Sequence, residues 1–147
     1  KEKIQLKKYA DKTIEVVSGT INSKGGKIIN NIPADVEIDF NAAYMESVLL
    51  NFLSNGIKYS HPDRVAEVKL DVYFEDEKPV LQISDNGMGI DLKRYGEKIF
   101  GLYKTFHNNA DAKGIGLFIT KNQIEAMGGR VEIESEVNKG TTFKIFF

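Results

Sequence analysis

The sequence predicts an α+β fold, a two-layer sandwich in which three helices pack against a mixed, mostly antiparallel sheet. Three observations predict it. Apolar residues recur at helical spacing in three separate stretches, period-two alternation marks two pairs of neighbouring segments joined by short turns, and glycine pairs follow two of the helical stretches as stop signals. The 147 residues are 41% hydrophobic, which suits a single domain over residues 1–147 with a sizeable core.

The elements follow in order. After a short "IQL", the residues Tyr9, Ala10, Thr13, Ile14, Val17 and Ile21 keep a helical rhythm up to Gly25-Gly26, predicting an amphipathic helix of about five turns. "KIINNI" and "VEIDF" read as short strands, and Asn41 is placed to cap a second helix that carries "NFLSNGIKYS", residues 51–60. Next, Val68, Leu70, Val72 and Phe74 alternate with Glu67, Lys69, Asp71 and Tyr73; "EDEK" reverses the chain and "PVLQISD" returns. This is an antiparallel pair with one buried face. From 86 to 113 no period is sustained, so a long loop with at most short helical turns is expected, of the kind that serves as a lid. A third helix from about Gly116 to Met127 ends at Gly128-Gly129, and "RVEIESE" and "TTFKIFF" form a last hairpin.

Composition excludes several classes of function. With 20 Lys and Arg against 21 Asp and Glu, the chain has no basic field for wrapping nucleic acid, and no apolar run approaches a membrane span. The absence of cysteine excludes disulfides, thiol catalysis and thiolate metal sites. Two histidines, His61 and His107, are too few for a histidine metal cluster. The start at "KEKIQL", without methionine, suggests a piece of a longer protein.

Three motifs carry chemistry. On the second helix Met45, Val48, Leu49, Phe52, Leu53 and Gly56 fill an apolar arc, and Asn51, Asn55 and Lys58 share a stripe about 60° wide at its edge. A solvated face would explain the polarity alone. Asparagine, however, is a poor helix former, and two of them beside a lysine suit an amide oxygen on Mg²⁺ with a cation for phosphate. In "VLQISDNGMGI" the period of two puts Asp85 on the core face with Leu81 and Ile83, where a carboxylate is costly unless hydrogen-bonded. A D-N-G turn explains Gly87 and Gly89; an inward Asp is better explained by an exocyclic amino group such as that of adenine. In "AKGIGLFIT", Gly114 and Gly116 open a helix after the long loop, where free N–H groups and the helix dipole can collect phosphate. It matches neither the Walker pattern nor the dinucleotide fingerprint.

In this order the motifs resemble those of the catalytic ATP-binding domain of two-component sensor histidine kinases, within the superfamily that includes gyrase, the Hsp90 chaperones and MutL. The likeness runs from about Ile4 to Phe147. "NFLSNGIKYS" is similar to the N box, "DNGMG" to the G1 box, "IFGLYKTF" to the F box, "KGIGL" to the G2 box and "KGTTF" to the last glycine-containing motif. The resemblance implies a Bergerat-type ATP-binding sandwich with ATP and Mg²⁺ as ligands. It implies Asn51, Asn55 and Lys58 as the catalytic set, with Asn55 on Mg²⁺ and Asn51 and Lys58 beside the phosphates. Tyr59 would pack on the base, Asp85 would take the adenine amino group with Thr141 nearby, and Gly87 and Gly89 would let the base approach. Gly114, Ile115, Gly116 and Leu117 would line the phosphates, joined by Lys104 from the lid.

The implied reaction is transfer of the γ-phosphate to a histidine on a separate phosphoacceptor and dimerisation domain, with a response regulator downstream. The implied setting is a cytoplasmic, monomeric fragment, free of nucleic acid and of direct membrane contact, whose parent can be membrane-anchored. Three departures stand out. Gly56 replaces the usual alanine, Ala112 replaces the first glycine of a fuller G2 box, and neither histidine has the phosphoacceptor's acidic neighbour on a helix. The helical hairpin that supplies the phosphoacceptor is also absent from the sequence. The alternatives are a serine kinase or ATPase of the superfamily, which carries glutamate where this chain has Asn51, or a non-catalytic nucleotide-binding module, which tends to lose the asparagine and glycines kept here.

Overall fold

The computed structural model describes residues 1–95 and 115–147. The described elements are β1 (Glu2–Gln5), α1 (Leu6–Ser23), β2 (Lys27–Asn30), β3 (Glu37–Phe40), α2 (Ala42–Lys58), β4 (Glu67–Glu75), β5 (Lys78–Asp85), α3 (Leu92–Tyr95), α4 (Ile115–Ala126), β6 (Arg130–Glu136) and β7 (Gly140–Phe146). The long helices α1, α2 and α4 are the three expected, and α3 is a single turn inside the segment expected to be irregular. The principal sheet has five strands in the order β2-β4-β5-β7-β6. Only the β2–β4 pair is parallel among these, so the sheet is mixed and mostly antiparallel. A second, two-stranded sheet pairs β1 with β3, a partnership that sequence periodicity did not reveal.

Asn41 caps α2 as its sequence position predicts: its side chain accepts from Tyr44 N–H at 2.9 Å, a bond worth about 1 kcal/mol by comparison with alanine caps. The helix buries Met45, Val48, Leu49, Phe52, Leu53, Gly56 and Ile57. Opposite them the sheet presents Val68, Leu70, Leu81, Ile83, Phe143 and Ile145, all buried. Phe52 and Phe143 meet across this interface with ring centroids 4.6 Å apart, and each buried ring of that size contributes roughly 1.5–3 kcal/mol. α2 is the middle helix of its layer, packed against both α1 and α4.

The alternation along β4 runs one pair further in sequence than in burial. Val68 and Leu70 are buried, but Phe74 is 60% exposed beside the hairpin tip. There Asp76 and Glu77 both take positive φ, 51° and 67°, the geometry of a tight two-residue turn that matches strand twist.

Candidate functional site

α2 and β5 converge at their C-terminal ends. The next strand residue after buried Leu81 and Ile83 on the same face is Asp85, half-buried at the end of β5. α2 comes close here because position 56 is glycine. A Cβ there would stand 2.9 Å from Val68 Cγ2 and 3.5 Å from the Asp85 Cβ, so an alanine at this place would press into β4. The glycine therefore has a packing reason that outweighs about 1 kcal/mol of lost helix propensity.

The Asp85 carboxylate is held by backbone. Its Oδ1 accepts from Gly87 N–H at 2.9 Å and from Thr141 N–H at 3.3 Å. Burial disfavours its charged form and pushes its pKa up to about 6, against the lowering effect of those two bonds. A carboxylate so placed gains from any ligand that brings an N–H donor. Thr141 is the register partner of Asp85 across β5 and β7 and is itself buried.

A cleft joins Asp85 and Thr141 to Asn55, Tyr59, Gly89, Ile90, Leu117 and Phe143. It is narrow, with about 20 Å³ of free volume, room for about one water. A roomier groove of about 390 Å³ lies at the other end of β5, near Pro79 and Arg130, and contains none of the predicted residues. Six predicted residues thus lie together: Asn55, Tyr59, Asp85, Gly89, Leu117 and Thr141. Asn51 and Lys58 share the α2 stripe beside the cleft, Asn51 half-buried and Lys58 exposed at the last helical position. Asn51 donates to Thr120 Oγ1 on α4 at 3.1 Å. Tyr59 is the C-cap residue of α2, and burial raises its phenol pKa, keeping it neutral. Ile115 and Gly116 open α4. Lys104 and Gly114 lie outside the described residues, as do the F box and His107.

Gly87 and Gly89 are needed first by the protein's own backbone. A Cβ at Gly87 would strike the Tyr59 carbonyl, and one at Gly89, where φ is +72°, would strike that of Glu136. The segment between them is pinned further, since Met88 N–H donates to Tyr59 O at 2.9 Å and Asn138 N–H to Met88 O at 2.7 Å.

Three residues that sequence reasoning passed over complete the surroundings. Arg64 donates from Nε to Asn86 O at 2.7 Å and from its terminal nitrogen to Gly87 O at 3.0 Å and to Asn138 O, tying the loop after Asp85 to the β6–β7 turn. Thr120 is fully buried and holds Asn51. Ser135 stands on the face of β6 shared with Val131 and Ile133, a polar residue where the pattern calls for an apolar one, and it bonds Thr141 Oγ1 at 2.8 Å. That break in pattern was the one sequence signal available for any of the three.

Comparisons with known proteins bear on the family and the fold. Residues 41–147 match the family model described as histidine kinase-, DNA gyrase B-, and HSP90-like ATPase. Over 116 residues, 77% of this chain, the sequence is 31% identical to the signal transduction histidine-protein kinase ArlS of Staphylococcus aureus strain USA300, of which the chain spans 25% of the length. The mycobacterial sensor histidine kinase MprB has the same fold, with a TM-score of 0.84 at 19% identity over 99% of this chain and 97% of that one. The nucleotide-free catalytic domain of histidine kinase ThkA gives 0.83 at 20% identity, over 99% and 93%.

Proposed function

Because this chain belongs to the histidine kinase-, DNA gyrase B-, and HSP90-like ATPase family and has its Bergerat-type sandwich, we propose that it binds Mg-ATP and passes the γ-phosphate to a histidine of a separate phosphoacceptor and dimerisation domain. The observation that carries this reading is the pairing, in one cleft, of the Asp85 carboxylate with the Asn55 amide. Asp85 and Thr141 take the adenine end, Tyr59 flanks the base, and Asn51, Asn55 and Lys58 on α2 face the phosphates. Leu117 and the first turn of α4, with Ile115 and Gly116, supply backbone N–H groups that a helix start leaves unpaired. Lys104 and Gly114 join them in the proposal.

Asn55 would hold Mg²⁺ through its amide oxygen, and its surroundings fit that role. The side chain lines the cleft, and among the described residues nothing hydrogen-bonds to it. One neutral oxygen is too weak a site alone, so the ion would enter only together with the nucleotide. When bound, the ion supplies charge neutralisation on the phosphate oxygens.

Transfer needs a nucleophile in line with the leaving oxygen and, for water, a base to take its proton. Asn51 cannot serve as that base because an amide does not accept a proton at neutral pH. An imidazole nitrogen attacks phosphorus with its own lone pair, the bond to the β-phosphate oxygen breaks, ADP leaves, and the ring N–H proton passes to a base in the partner domain. The chain therefore keeps ATP from water until the histidine docks. In this reading residues 1–147 act as one monomeric catalytic domain on the cytoplasmic side, and the response regulator is reached only through the phosphoacceptor domain.

The test combines ATP titration, phosphate release by the chain alone, and label transfer on adding a phosphoacceptor hairpin in trans. Binding with slow release and acid-labile label on histidine is expected. Brisk hydrolysis, or label on serine, would move the chain to another branch of the superfamily; binding without any transfer would make it a non-catalytic module.

A further inference from the structure

Ser135 has no part in the chemistry above, yet its Oγ has three polar neighbours. Ile90 N lies at 2.8 Å, Gly140 O at 2.9 Å and Thr141 Oγ1 at 2.8 Å. A serine hydroxyl has one proton and two acceptor positions. Ile90 N–H can only donate and Gly140 O can only accept. The serine proton must therefore go to Gly140 O, one lone pair takes Ile90 N–H, and the other takes the proton of Thr141. The reverse assignment, Ser135 donating to Thr141, would leave the Ser135 and Gly140 oxygens 2.9 Å apart with no proton between them.

The Thr141 proton is thus committed away from the cleft that Thr141 lines, and its oxygen offers only lone pairs there. Its neighbour Asp85 already takes two backbone N–H groups and, when ionised, is also an acceptor only. We propose that Ser135 is a specificity-determining residue: by fixing the hydroxyl proton of Thr141 it makes this end of the cleft an all-acceptor surface, which selects a purine carrying a 6-amino group over one carrying a 6-oxo group. The proposal rests on the nucleotide reading of the same cleft. An amino group can give one N–H to Asp85 and one to Thr141. An oxo group set between Asp85 and Thr141 faces lone pairs on both sides, and two positions with no donor to offer discriminate against it.

Ser135→Ala releases the Thr141 hydroxyl, which can then turn its proton toward a 6-oxo group. Affinities for ATP and inosine triphosphate are measured by calorimetry for the wild type, Ser135→Ala, Thr141→Val and the double variant. The wild type is expected to prefer ATP, and Ser135→Ala to lower the ratio of the two affinities about tenfold, the worth of one hydrogen bond made and one mismatch removed. In the Thr141→Val background the same serine change should leave the ratio unaltered, since the cycle isolates the coupling between the two residues. An unchanged ratio in Ser135→Ala, or an equal drop with and without the threonine hydroxyl, overturns the assignment. If Ser135→Ala does not fold, Thr141→Val alone decides: weaker ATP with unchanged inosine triphosphate upholds the acceptor role, and any other pattern removes it. A wild type that binds neither nucleotide refutes the nucleotide reading itself and the assignment with it, whereas selective ATP binding that ignores Ser135 refutes the assignment alone.

Discussion

Asn51 on α2 gives an amide N–H to Thr120 Oγ1 on α4 at 3.1 Å, joining the proposed phosphate-facing stripe to the helix that Ile115 and Gly116 open. Thr120 is fully buried, so Thr120→Val keeps the volume and removes the acceptor. Loss of a bond of this kind costs about 1 kcal/mol. Unfolding by urea should show a destabilisation of that order, and label transfer to a phosphoacceptor should slow about fivefold while ATP affinity moves less than about twofold. Equal losses in binding and transfer would mean that Thr120 supports the fold without orienting Asn51.

Asp85 sets stability against binding. Burial raises its folded-state pKa from 3.8 to about 6, so the folded chain binds this proton more tightly than the unfolded chain. The resulting stabilisation is complete below the unfolded value and is lost as pH rises through the folded one. By pH 7.5 the loss is at most about 3 kcal/mol, and less to the extent that solvent reaches the carboxylate. Asp85→Asn retains an oxygen for the two backbone donors and removes the charge. Without nucleotide it should be more stable than the wild type at pH 7.5 by about 1–2 kcal/mol, while ATP binding weakens by more than about 1.5 kcal/mol. A variant less stable than the wild type at that pH would contradict the burial argument.

The same shift gives binding a pH dependence. An amino donor favours the carboxylate form, so protonation competes with nucleotide. ATP affinity should be flat above about pH 7 and fall about fivefold between pH 6 and pH 5, with a compensating proton release in calorimetry. Asp85→Asn should flatten the profile in this range. A wild-type profile as flat as that of the variant would separate Asp85 from the ligand.

Arg64 fastens three carbonyls on two loops, those of Asn86, Gly87 and Asn138. In Arg64→Ala the amides of Gly87 to Ile90 and of Asn138 to Gly140 should exchange faster with solvent while those of β4 and β5 keep their protection. ATP affinity should drop by about 1 kcal/mol through the loosened surroundings of Asp85. Lysine at 64 should fail to restore it, because an ammonium cannot span the positions of a planar fork. Uniformly faster exchange across the sheet would instead indicate a general loss of stability.

Local pattern made the three long helices, both hairpins and most of the cleft readable. Asn41, the α2 arc and the inward Asp85 each follow from periodicity and cost. The β1–β3 sheet was hidden because its strands are four residues each and more than thirty residues apart, so no turn signals their pairing. Arg64 was hidden for a different reason. In "HPDRVAE" it is an exposed cation without rhythm, and only tertiary structure brings three carbonyls to it. Gly87 and Gly89 were readable as glycines but not as to cause, since a turn, a ligand and a neighbouring carbonyl all require the same missing Cβ.

The strand pairings have a further consequence in time. β1 pairs with β3 and β2 pairs with β4, so the two partnerships interleave along the chain and neither encloses only a turn. Each must close a loop that contains a whole helix, α1 for the first and α2 for the second, whereas β4–β5 and β6–β7 close over a few residues. Loop closure charges the distant pairings before they return any contact energy. The two hairpins are thus expected to form early, with the N-terminal forty or so residues condensing onto them in one late and cooperative step. α2 is shared by both events, and so the asparagine stripe reaches its place beside Asp85 only when the last of the molecule has folded.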